Sequence, residues 1–550
     1  MILGETMLGD AARAAGKAGQ DEALRSQSRI TIDQLFRRAA TRRPDAIALV
    51  DPPNPASFTD GQARRLSYAE ADRMVSAIAG RLRLMGLPTD AIIGIQLPHT
   101  VENILTILGV LRAGMIAAPL PLLWRRADTV GALTRVGAKA IITCKRAGGF
   151  AHAQFATRVA AEVFSIRYVC GFGDDLPDGV VSLDDLFATV EPDPIPPLER
   201  NSNAAAHIAV ISFEVGDTGP VPVARRHLEL LAGGLGILME CQLVEDATIL
   251  SSLAPASFAG LCLTLVPWLL TGGTLALHQP FDLDVFLSQR DQHCCATLIL
   301  PGPVALRLGG AGLFADDRPT TIVSPWYCPE QFADSANWPE RDAVLVDVPI
   351  FGEAGFVAAR RGADGRPIPL PLGRIAVPPL SDGALTVAEL GVTETATLAL
   401  RGPIVPRHAF PPGIEHSDQA YFAIGGDGWV DTGYPCRADA AAKTIAVTGP
   451  PLGVVTIGGY RLAMGGLLET IRRIDPMATL TAKPDPLLGH RLVGAASDCN
   501  AMAAALNDLG VMPLVGAAFV SQGEQVLREA MAADQQPTTE PTMEAAAAVA

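Results

Sequence analysis

The sequence predicts an α/β protein: a large N-terminal domain of helix-covered, mostly parallel sheets with a small barrel-like β region, then a small α+β C-terminal domain. Three observations carry this prediction. Short apolar runs alternate with segments of helical spacing in the first half, which is typical of parallel sheets covered by helices. Residues 368–405 instead show short strands broken by Pro and Gly, as in an antiparallel sheet or small barrel. After about residue 450 the pattern becomes strand, strand and helix.

The first elements are defined by their start and stop residues. Asp33 favours the first turn of a helix over residues 31–43, and Pro44 prevents its continuation. Ser67 caps the next helix, and Gly86 ends it. Strands and helices then keep alternating. The elements predicted after the first helix are 46–50, 68–85, 92–96, 101–113, 116–119, 128–136 and 140–143.

A second series of elements follows a proline-rich connection. A strand over 207–213 leads into a glycine loop, and a helix over 228–239 follows it. Further elements are predicted at 259–270, 274–277, 444–447, 454–457 and 467–474. The expected organisation is a flexible arm at 1–28, a large domain at 29–450, a small domain at 451–533 and a disordered tail at 534–550.

Composition and charge exclude several classes of protein. The formal charge of −15 argues against nonspecific binding to nucleic acid or anionic membranes, which requires basic patches. The apolar stretch 261–277 is divided by Pro267 and the pair Gly272–Gly273, so neither part is long enough to span a bilayer. The N-terminus has no uninterrupted apolar segment of the kind found in signal peptides. We therefore expect a cytoplasmic protein without an integral membrane segment.

The nine cysteines are scattered and include no Cys-x-x-Cys pair, which indicates reduced thiols. The adjacent pair Cys294–Cys295 has two interpretations, a redox site or part of a β-strand that enters the core.

A loop with reversed charge follows the strand at 207–213. Gly216, Thr218 and Gly219 offer the small residues and hydroxyl that a phosphate-binding loop needs. Glu214 and Asp217 instead place two carboxylates where a polyphosphate would lie, and at ~4 Å each like-charge contact costs about 1–4 kcal/mol. None of the five lysines of the chain is near this loop. The alternative interpretation is an ordinary glycine-containing turn between a strand and a helix.

Over residues 30–520 the chain resembles the adenylate-forming superfamily, which includes acyl-CoA synthetases, nonribosomal adenylation domains and luciferases. The resemblance rests on the order and spacing of several runs rather than on one motif. The runs that carry it are Leu66–Glu70, Gly94–His99, Gly216–His227, Leu265–Leu275, Phe351–Gly355, Leu400–Pro403, Asp427–Tyr434 and Ile457–Arg461.

The resemblance implies a role for each matching residue. Seven positions would contact the nucleotide, three would wall the acyl pocket, and Glu353 is the candidate ligand for magnesium. ATP or AMP with magnesium would be the cofactors, CoA a further acceptor, and a small carboxylic acid or acyl-CoA the ligand. The implied nucleotide residues are Gly216, Asp217, Thr218, Gly219, Phe351, Gly352 and Asp431, and the implied acyl residues are Ser257, Phe258 and Gly260.

Several positions depart from the pattern of the superfamily. Ala354 and Gly355 replace a threonine that touches phosphate and a glutamate that holds magnesium, and Tyr434 replaces the aspartate that grips the ribose. Val221 stands where a lysine is expected, and no lysine follows Lys483. Loss of one electrostatic donor of this kind commonly lowers the rate ~10²- to 10³-fold. We therefore expect adenylation to be lost or strongly reduced.

Three hypotheses remain at this point. A working acyl-CoA ligase would need Arg225 or Arg226 to reach the phosphates, and Glu353 or Asp217 to bind magnesium. Otherwise each arginine is a solvated residue in the first turn of the following helix. A non-catalytic acyl- or nucleotide-binding homologue would act as a regulatory or partner subunit, beside an active paralogue or an acyl carrier. The third hypothesis is an unrelated α/β protein.

Overall fold

The computed structural model describes residues 30–519, apart from 188–194, 197, 199, 201–202, 316–317, 341, 378–384, 408–409 and 412–426. The predicted arm at 1–28, the tail at 534–550 and residues 520–533 of the predicted small domain lie outside the described residues. The predicted α/β class is confirmed, with two parallel-rich sheets, an antiparallel barrel-like sheet and a C-terminal α+β region.

A seven-stranded sheet is built from the predicted βα units. Its central strands are buried, and all its strands run parallel except for an antiparallel pair at one edge. Buried apolar runs such as Ile92–Gln96 form its centre because both faces of a parallel sheet are covered by helices. In spatial order the strands are Val180–Ser182, Tyr168–Phe172, Ala140–Cys144, Ile92–Gln96, Ile116–Pro119, Ile208–Glu214 and Val221–Arg226.

A nine-stranded sheet contains the second series. Its central strands are also parallel, and antiparallel pairs close both edges. In spatial order the strands are Gly355–Phe356, Ala343–Phe351, Thr320–Trp326, Thr297–Ile299, Thr248–Ser251, Thr274–Leu277, Ile47–Val50 and Arg65–Ser67, while Ala359–Arg360 pairs with Ala343–Phe351.

Two antiparallel sheets follow, and the chain passes from one to the other between Thr444–Val447 and Val454–Ile457. The barrel sheet has six strands, in the order Leu370–Pro371, Thr444–Val447, Val430–Asp439, Thr397–Arg401, Leu385–Val392 and Gly373–Val377. The C-terminal sheet has four, in the order Tyr460–Ala463, Val454–Ile457, Gly489–Ala495 and Thr479–Asp485. Residues 454–519 are called the C-terminal region below.

The second helix begins at the predicted cap Ser67 and ends before the predicted stop Gly86. Thr31 and Ser67 both form capping boxes, and Gly86 adopts φ 69° after the second helix. No helix of the described part is long and apolar enough to cross a membrane. The helices are Ile32–Arg42, Tyr68–Leu84, Val101–Arg112, Arg126–Val136, His152–Glu162, His227–Glu240, Phe258–Gly260 with the π turn Leu261–Leu265 and Val266–Thr271, Leu283–Gln292, Gly302–Gly310, Met464–Ile474, Cys499–Asp508 and Pro513–Gly516.

The predicted apolar segment around Trp268 packs at the centre of the large core. The rings of Phe36, Tyr68 and Trp268 lie 5.9–6.0 Å apart. Tyr68 Oη and Trp268 Nε1 both donate to the Gly273 carbonyl, at 2.8 and 3.0 Å. A Cβ on Gly273 would overlap the Ala247 carbonyl, so this glycine is required by packing.

Two local predictions are wrong. The glycine loop does not connect a strand to a helix, because Val221–Arg226 forms a further strand antiparallel to Ile208–Glu214. Two prolines and two arginines around alternating valines concealed this strand. The pair Cys294–Cys295 precedes a strand instead of forming it, with Cys294 exposed at φ 50° and the strand beginning at Thr297.

Candidate functional site

A cavity of about 410 Å³ lies where the parallel strands of both large sheets end and the C-terminal region covers them. Its walls include residues that follow the strands Ile92–Gln96, Ile116–Pro119, Thr248–Ser251 and Ala343–Phe351. Ligands of open α/β sheets bind at the carboxyl ends of the strands, so the topology marks this cavity as the candidate site.

The glycine loop lies at the edge of this cavity. Gly216, Asp217 and Gly219 line it, whereas Thr218 is exposed and turned toward a neighbouring helix. Arg135 donates to Thr218 Oγ1 at 2.9 Å and to the carbonyl oxygens of Thr218, Gly219 and Pro220 at 2.5–3.2 Å. Arg135, in the helix Arg126–Val136, therefore fixes the loop by hydrogen bonds to its carbonyl oxygens.

Glu214, at the start of the loop, forms an ion pair with Arg461 of the C-terminal region. Its carboxylate also accepts from the backbone N–H groups of Val215 and Glu353, both at 2.7 Å. Gly352 lies between the partners at φ 55°, and a Cβ there would overlap both side chains. Arg461 lies in the run Ile457–Arg461 that resembles the superfamily, but its local sequence predicts no role, because the pairing depends on how the C-terminal region is placed.

Glu353, the candidate for magnesium, is buried. Its Oε2 accepts from Ser212 Oγ at 2.5 Å and from the Phe258 N–H at 3.1 Å. Burial raises the pKa of Glu353 to about 7, with Glu214 adding to the rise and Ser212 and Arg225 opposing it. Near neutral pH this carboxyl group is substantially protonated and offers a metal ion one further oxygen at most.

Neither arginine of the pair Arg225–Arg226 is a solvated residue in a helix. Arg225, the penultimate residue of its strand, is fully buried. It donates to the carbonyls of Ile404 at 2.7 Å and Glu353, and stacks over Phe258 at 3.7 Å. Arg226 pairs with Glu229 at 2.7 Å in the first turn of the following helix. Both guanidinium groups therefore have structural partners, and neither lines the cavity.

Of the remaining residues with an implied nucleotide role, only one lines the cavity. Gly352 lines the cavity, whereas Phe351 is buried outside its lining, with its ring 5.8 Å from that of Tyr434. Asp431 is exposed, accepts from the Gly433 N–H at 2.8 Å and lies outside the lining. Tyr434 itself is 1% exposed and lines the cavity beneath the Arg461 guanidinium, at 5.7 Å.

Only Ser257 of the three implied acyl residues lines the cavity. Its Oγ accepts from the Gly260 N–H at 3.0 Å and caps the helix. Phe258 and Gly260 pack behind the wall, with Gly260 against the Ala254 backbone. Sequence reasoning missed the apolar wall because it is assembled from strand ends and the C-terminal region. Its residues include Trp124, Phe213, Tyr327, Leu467, Met512 and Val515.

The chain matches the model of the AMP-binding enzyme family over residues 36–321. The match covers more than half of the chain, and the chain therefore belongs to this family of adenylate-forming enzymes.

Solved structures show the same fold. The amide bond synthetase McbA from Marinactinospora thermotolerans aligns with a TM-score of 0.68 at 16% identity, over 88% of this chain and 94% of that one. MbtA from Mycobacterium smegmatis aligns with a TM-score of 0.61 at 20% identity, over 94% of this chain and 99% of that one.

Curated relatives are similar over shorter segments. Tyrocidine synthase 1 from Brevibacillus parabrevis is 31% identical over 122 residues, which are 22% of this chain and 10% of that protein. Cyclosporin synthetase from Tolypocladium inflatum is 26% identical over 284 residues, 47% of this chain and 2% of that protein. The chain thus matches a tenth or less of the length of these two relatives.

The charges of the described cavity lining are unfavourable for a triphosphate. Among the described residues that line the cavity, four carry carboxyl groups, Asp128, Glu214, Asp217 and Glu353, and one carries a guanidinium, Arg461. That guanidinium is bound to Glu214 beside the phosphate loop. Burial also raises the pKa of Asp128 to about 6. A triphosphate would meet these acids with no other cationic side chain in the described lining to offset them.

Proposed function

We propose that this chain is a member of the adenylate-forming family in which acyl-adenylate formation is lost or strongly reduced. The cavity remains as a binding site for a small carboxylic acid or its acyl derivative. The observation that carries the proposal is the ion pair between Glu214 and Arg461, which brings an anion to the phosphate loop and engages the cation of the cavity lining.

Electrostatics explain why this arrangement disfavours catalysis. Family members stabilise the charge that develops as pyrophosphate leaves, and preorganised donors supply most of that effect. Here Glu214 and Asp217 are both in or beside the loop, and a like-charge contact at ~4 Å costs about 1–4 kcal/mol. Arg225 does not compensate, since it is fully buried behind Glu353.

Retained binding is supported by the shape and lining of the cavity. A volume of about 410 Å³ lies within the ~300–1,000 Å³ range of small-molecule sites. Trp124, Phe213, Tyr327 and Met512 provide apolar surface in the same cavity. An uncharged acyl chain fits this apolar surface better than a polyphosphate fits the loop. A regulatory or partner role beside an active relative or an acyl carrier would use the same property.

Carboxylate-dependent ATP–pyrophosphate exchange tests the loss of activity. Short, long and aromatic acids are each assayed with the purified full chain and with a blank that lacks protein. We expect no exchange above the blank. Exchange that depends on an acid and exceeds the blank contradicts the proposal.

Thermal-shift titration tests binding separately. Carboxylic acids, acyl-CoAs, CoA, AMP and ATP are compared, because a ligand at 100 times its dissociation constant adds about 2.7 kcal/mol of stability. We expect acids or acyl-CoAs to raise the melting temperature more than ATP does. If no acid or acyl-CoA raises it, the retained binding site is contradicted even when exchange is absent.

A residually active enzyme is the second candidate. Arg461 belongs to the C-terminal region, so a rotation of that region would separate it from Glu214 and open the loop. The exchange assay distinguishes this candidate. Replacing Glu214 with Gln should then raise exchange, since it removes the anion and leaves Arg461 available to phosphate.

A further inference from the structure

Three side chains of different chemistry meet at a junction away from the glycine loop. Cys328 and Glu330 follow the strand Thr320–Trp326 of the nine-stranded sheet, and His490 lies in the strand Gly489–Ala495 of the C-terminal sheet. One ligand atom from each lies within 4.8 Å of the other two. Within the described ranges this is the one group of three or more such residues that comes together in this way.

We propose that Cys328, Glu330 and His490 bind a divalent transition-metal ion, with zinc the best match to the donor set. Thiolate sulfur, imidazole nitrogen and carboxylate oxygen are the three ligand types that zinc takes in proteins. Tetrahedral bonds of about 2.3 Å to sulfur and 2.0 Å to nitrogen place those atoms ~3.5 Å apart. Cys328 Sγ lies 3.9 Å from His490 Nδ1, so a shift of a few tenths of an ångström suffices.

Glu330 supplies an independent reason to expect a cation. Both of its carboxylate oxygens are buried, and within the described ranges neither accepts a well-formed hydrogen bond. Withdrawing a carboxylate from water is costly unless it is paired, hydrogen-bonded or bound to a metal. A metal ion between the three side chains would satisfy this carboxylate.

The backbone is shaped for the close approach of the two parts. Gly489 adopts φ 84°, and a Cβ there would overlap Cys328 Sγ. Gln331 Nε2 donates to the Gly489 carbonyl at 3.0 Å, which fixes the strand of His490 against the loop of Cys328. The sulfur can therefore reach the histidine because residue 489 has no side chain.

His490 Nδ1 also has a second polar neighbour. The carbonyl oxygen of Thr456 lies 3.2 Å from it. A metal ion bound at Nδ1 would replace this contact. On binding, the Cys328 thiol gives its proton to solvent and its sulfur bonds the metal as thiolate. Three protein ligands leave a fourth position for water.

A metal ion at this site would link the C-terminal region to the part of the chain that precedes it. Two ligands come from the large part and one from the C-terminal region, so the bound ion would fix how that region covers the cavity. This inference does not depend on whether adenylation survives.

The test is metal binding by the full chain. Protein stripped with a chelator and dialysed is titrated with Zn²⁺ in a calorimeter, and with Co²⁺ in a spectrophotometer, where thiolate ligation gives a charge-transfer band. We expect one ion per chain and that band. Cys328→Ser should abolish the band, and both Cys328→Ser and His490→Gln should weaken zinc binding at least tenfold, since even outer-shell changes cost ~10- to 100-fold.

Matched controls separate the site from general thiol and imidazole effects. Cys436→Ser removes a thiol as buried as Cys328, at 7% against 6%, and His293→Gln removes a histidine outside the cluster. Both controls should bind zinc like the wild type, and circular dichroism shows whether each variant is folded. Absence of stoichiometric binding to the wild type, as for a merely hydrogen-bonded trio, overturns the proposal. Binding that survives both ligand substitutions with unchanged affinity also overturns it.

Discussion

Two ion pairs in this protein, each between a carboxylate and an arginine, have different surroundings. Asp347 and Arg361 pair at 2.7 Å within the large part, with side chains only 1% and 2% exposed. Arg361 also donates to the carbonyls of Ala336 and Gly365 and to Ser335 Oγ. Glu214 and Arg461 pair across the cavity, with side chains 6% and 15% exposed.

The difference shows that one ion pair can stabilise the fold while a chemically similar one also shapes the candidate site. The Asp347 pair is surrounded by hydrogen bonds from its own part of the molecule, and Trp326 Nε1 donates to Asp347 at 2.7 Å. The Glu214 pair joins two parts of the molecule at a cavity wall, where a ligand or a rotation of the C-terminal region can separate it. Breaking the first pair should change stability, and breaking the second should also change what the cavity binds.

The largest expected effect is on the enclosed pair. Arg361→Ala should lower the free energy of unfolding by about 3–5 kcal/mol, because it leaves the Asp347 carboxylate buried without its cation. Urea unfolding followed by circular dichroism measures this. The exposed Arg366→Ala is the control and should change stability by less than ~0.5 kcal/mol. A loss below about 1 kcal/mol for Arg361→Ala would show that Asp347 relaxes to another partner.

Arg461→Ala should have a smaller effect on stability. We expect a loss of about 1–3 kcal/mol, because Glu214 keeps two backbone N–H donors and gains access to water in the cavity. Arg473→Ala, which breaks the exposed pair with Glu469, is the matched control and should cost at most ~1 kcal/mol. If both substitutions cost the same, the cavity pair contributes no more than a surface pair.

Glu353→Gln extends the comparison to a carboxyl group without a direct ion pair. The folded-state pKa of Glu353, about 7, lies above its ordinary value of 4.5. Stability from this group is therefore complete below about pH 4.5 and falls as the pH rises toward 7. The variant should lack this fall. The difference in stability, variant minus wild type, should therefore be more favourable to the variant at pH 8 than at pH 4.5, by an amount on the order of 1–3 kcal/mol.

The difference between variant and wild type is the informative quantity here. Burial also raises the pKa values of Asp51 and Asp128, to about 8 and about 6, and both groups titrate in the same window. Denaturant unfolding at several pH values gives the two profiles. Parallel profiles for variant and wild type would mean that Glu353 ionises normally in the folded protein.

The smallest effect is expected at Asp431. This side chain is exposed and outside the described cavity lining, so Asp431→Asn should change the free energy of unfolding by less than ~0.5 kcal/mol. It should also leave any thermal shift caused by AMP unchanged. A selective loss of an AMP-induced shift would restore the nucleotide role that the superfamily resemblance implied for this residue.

The sequence predicted the secondary structure of this protein better than its candidate site. The strand 92–96 and the strand 274–277 were predicted with the observed bounds, because buried apolar runs next to glycine or proline leave few alternatives. The strand Val221–Arg226 was missed, since Pro222 and the two arginines obscure the alternation of its two valines. The local sequence pattern predicts a strand well where the whole strand is buried, and poorly where the strand lies at the edge of a sheet.

The site was less predictable because distant segments assemble it. The resemblance implied nucleotide contacts for Gly216 and Gly352; both line the cavity, and their nucleotide role stays a prediction. The partner of Glu214 lies 247 positions further along, as 461 − 214 gives, and no local pattern indicates such a pairing. The burial of Arg225 was equally hidden, because it depends on the carbonyl of Ile404 and the ring of Phe258.

The tie between Arg135 and three successive carbonyl oxygens has a thermodynamic consequence for any ligand. A free loop loses conformational entropy when a ligand orders it, and that loss weakens affinity. This hairpin is ordered by its own protein beforehand, so a molecule that enters the cavity meets a rigid rim and is selected by shape and charge.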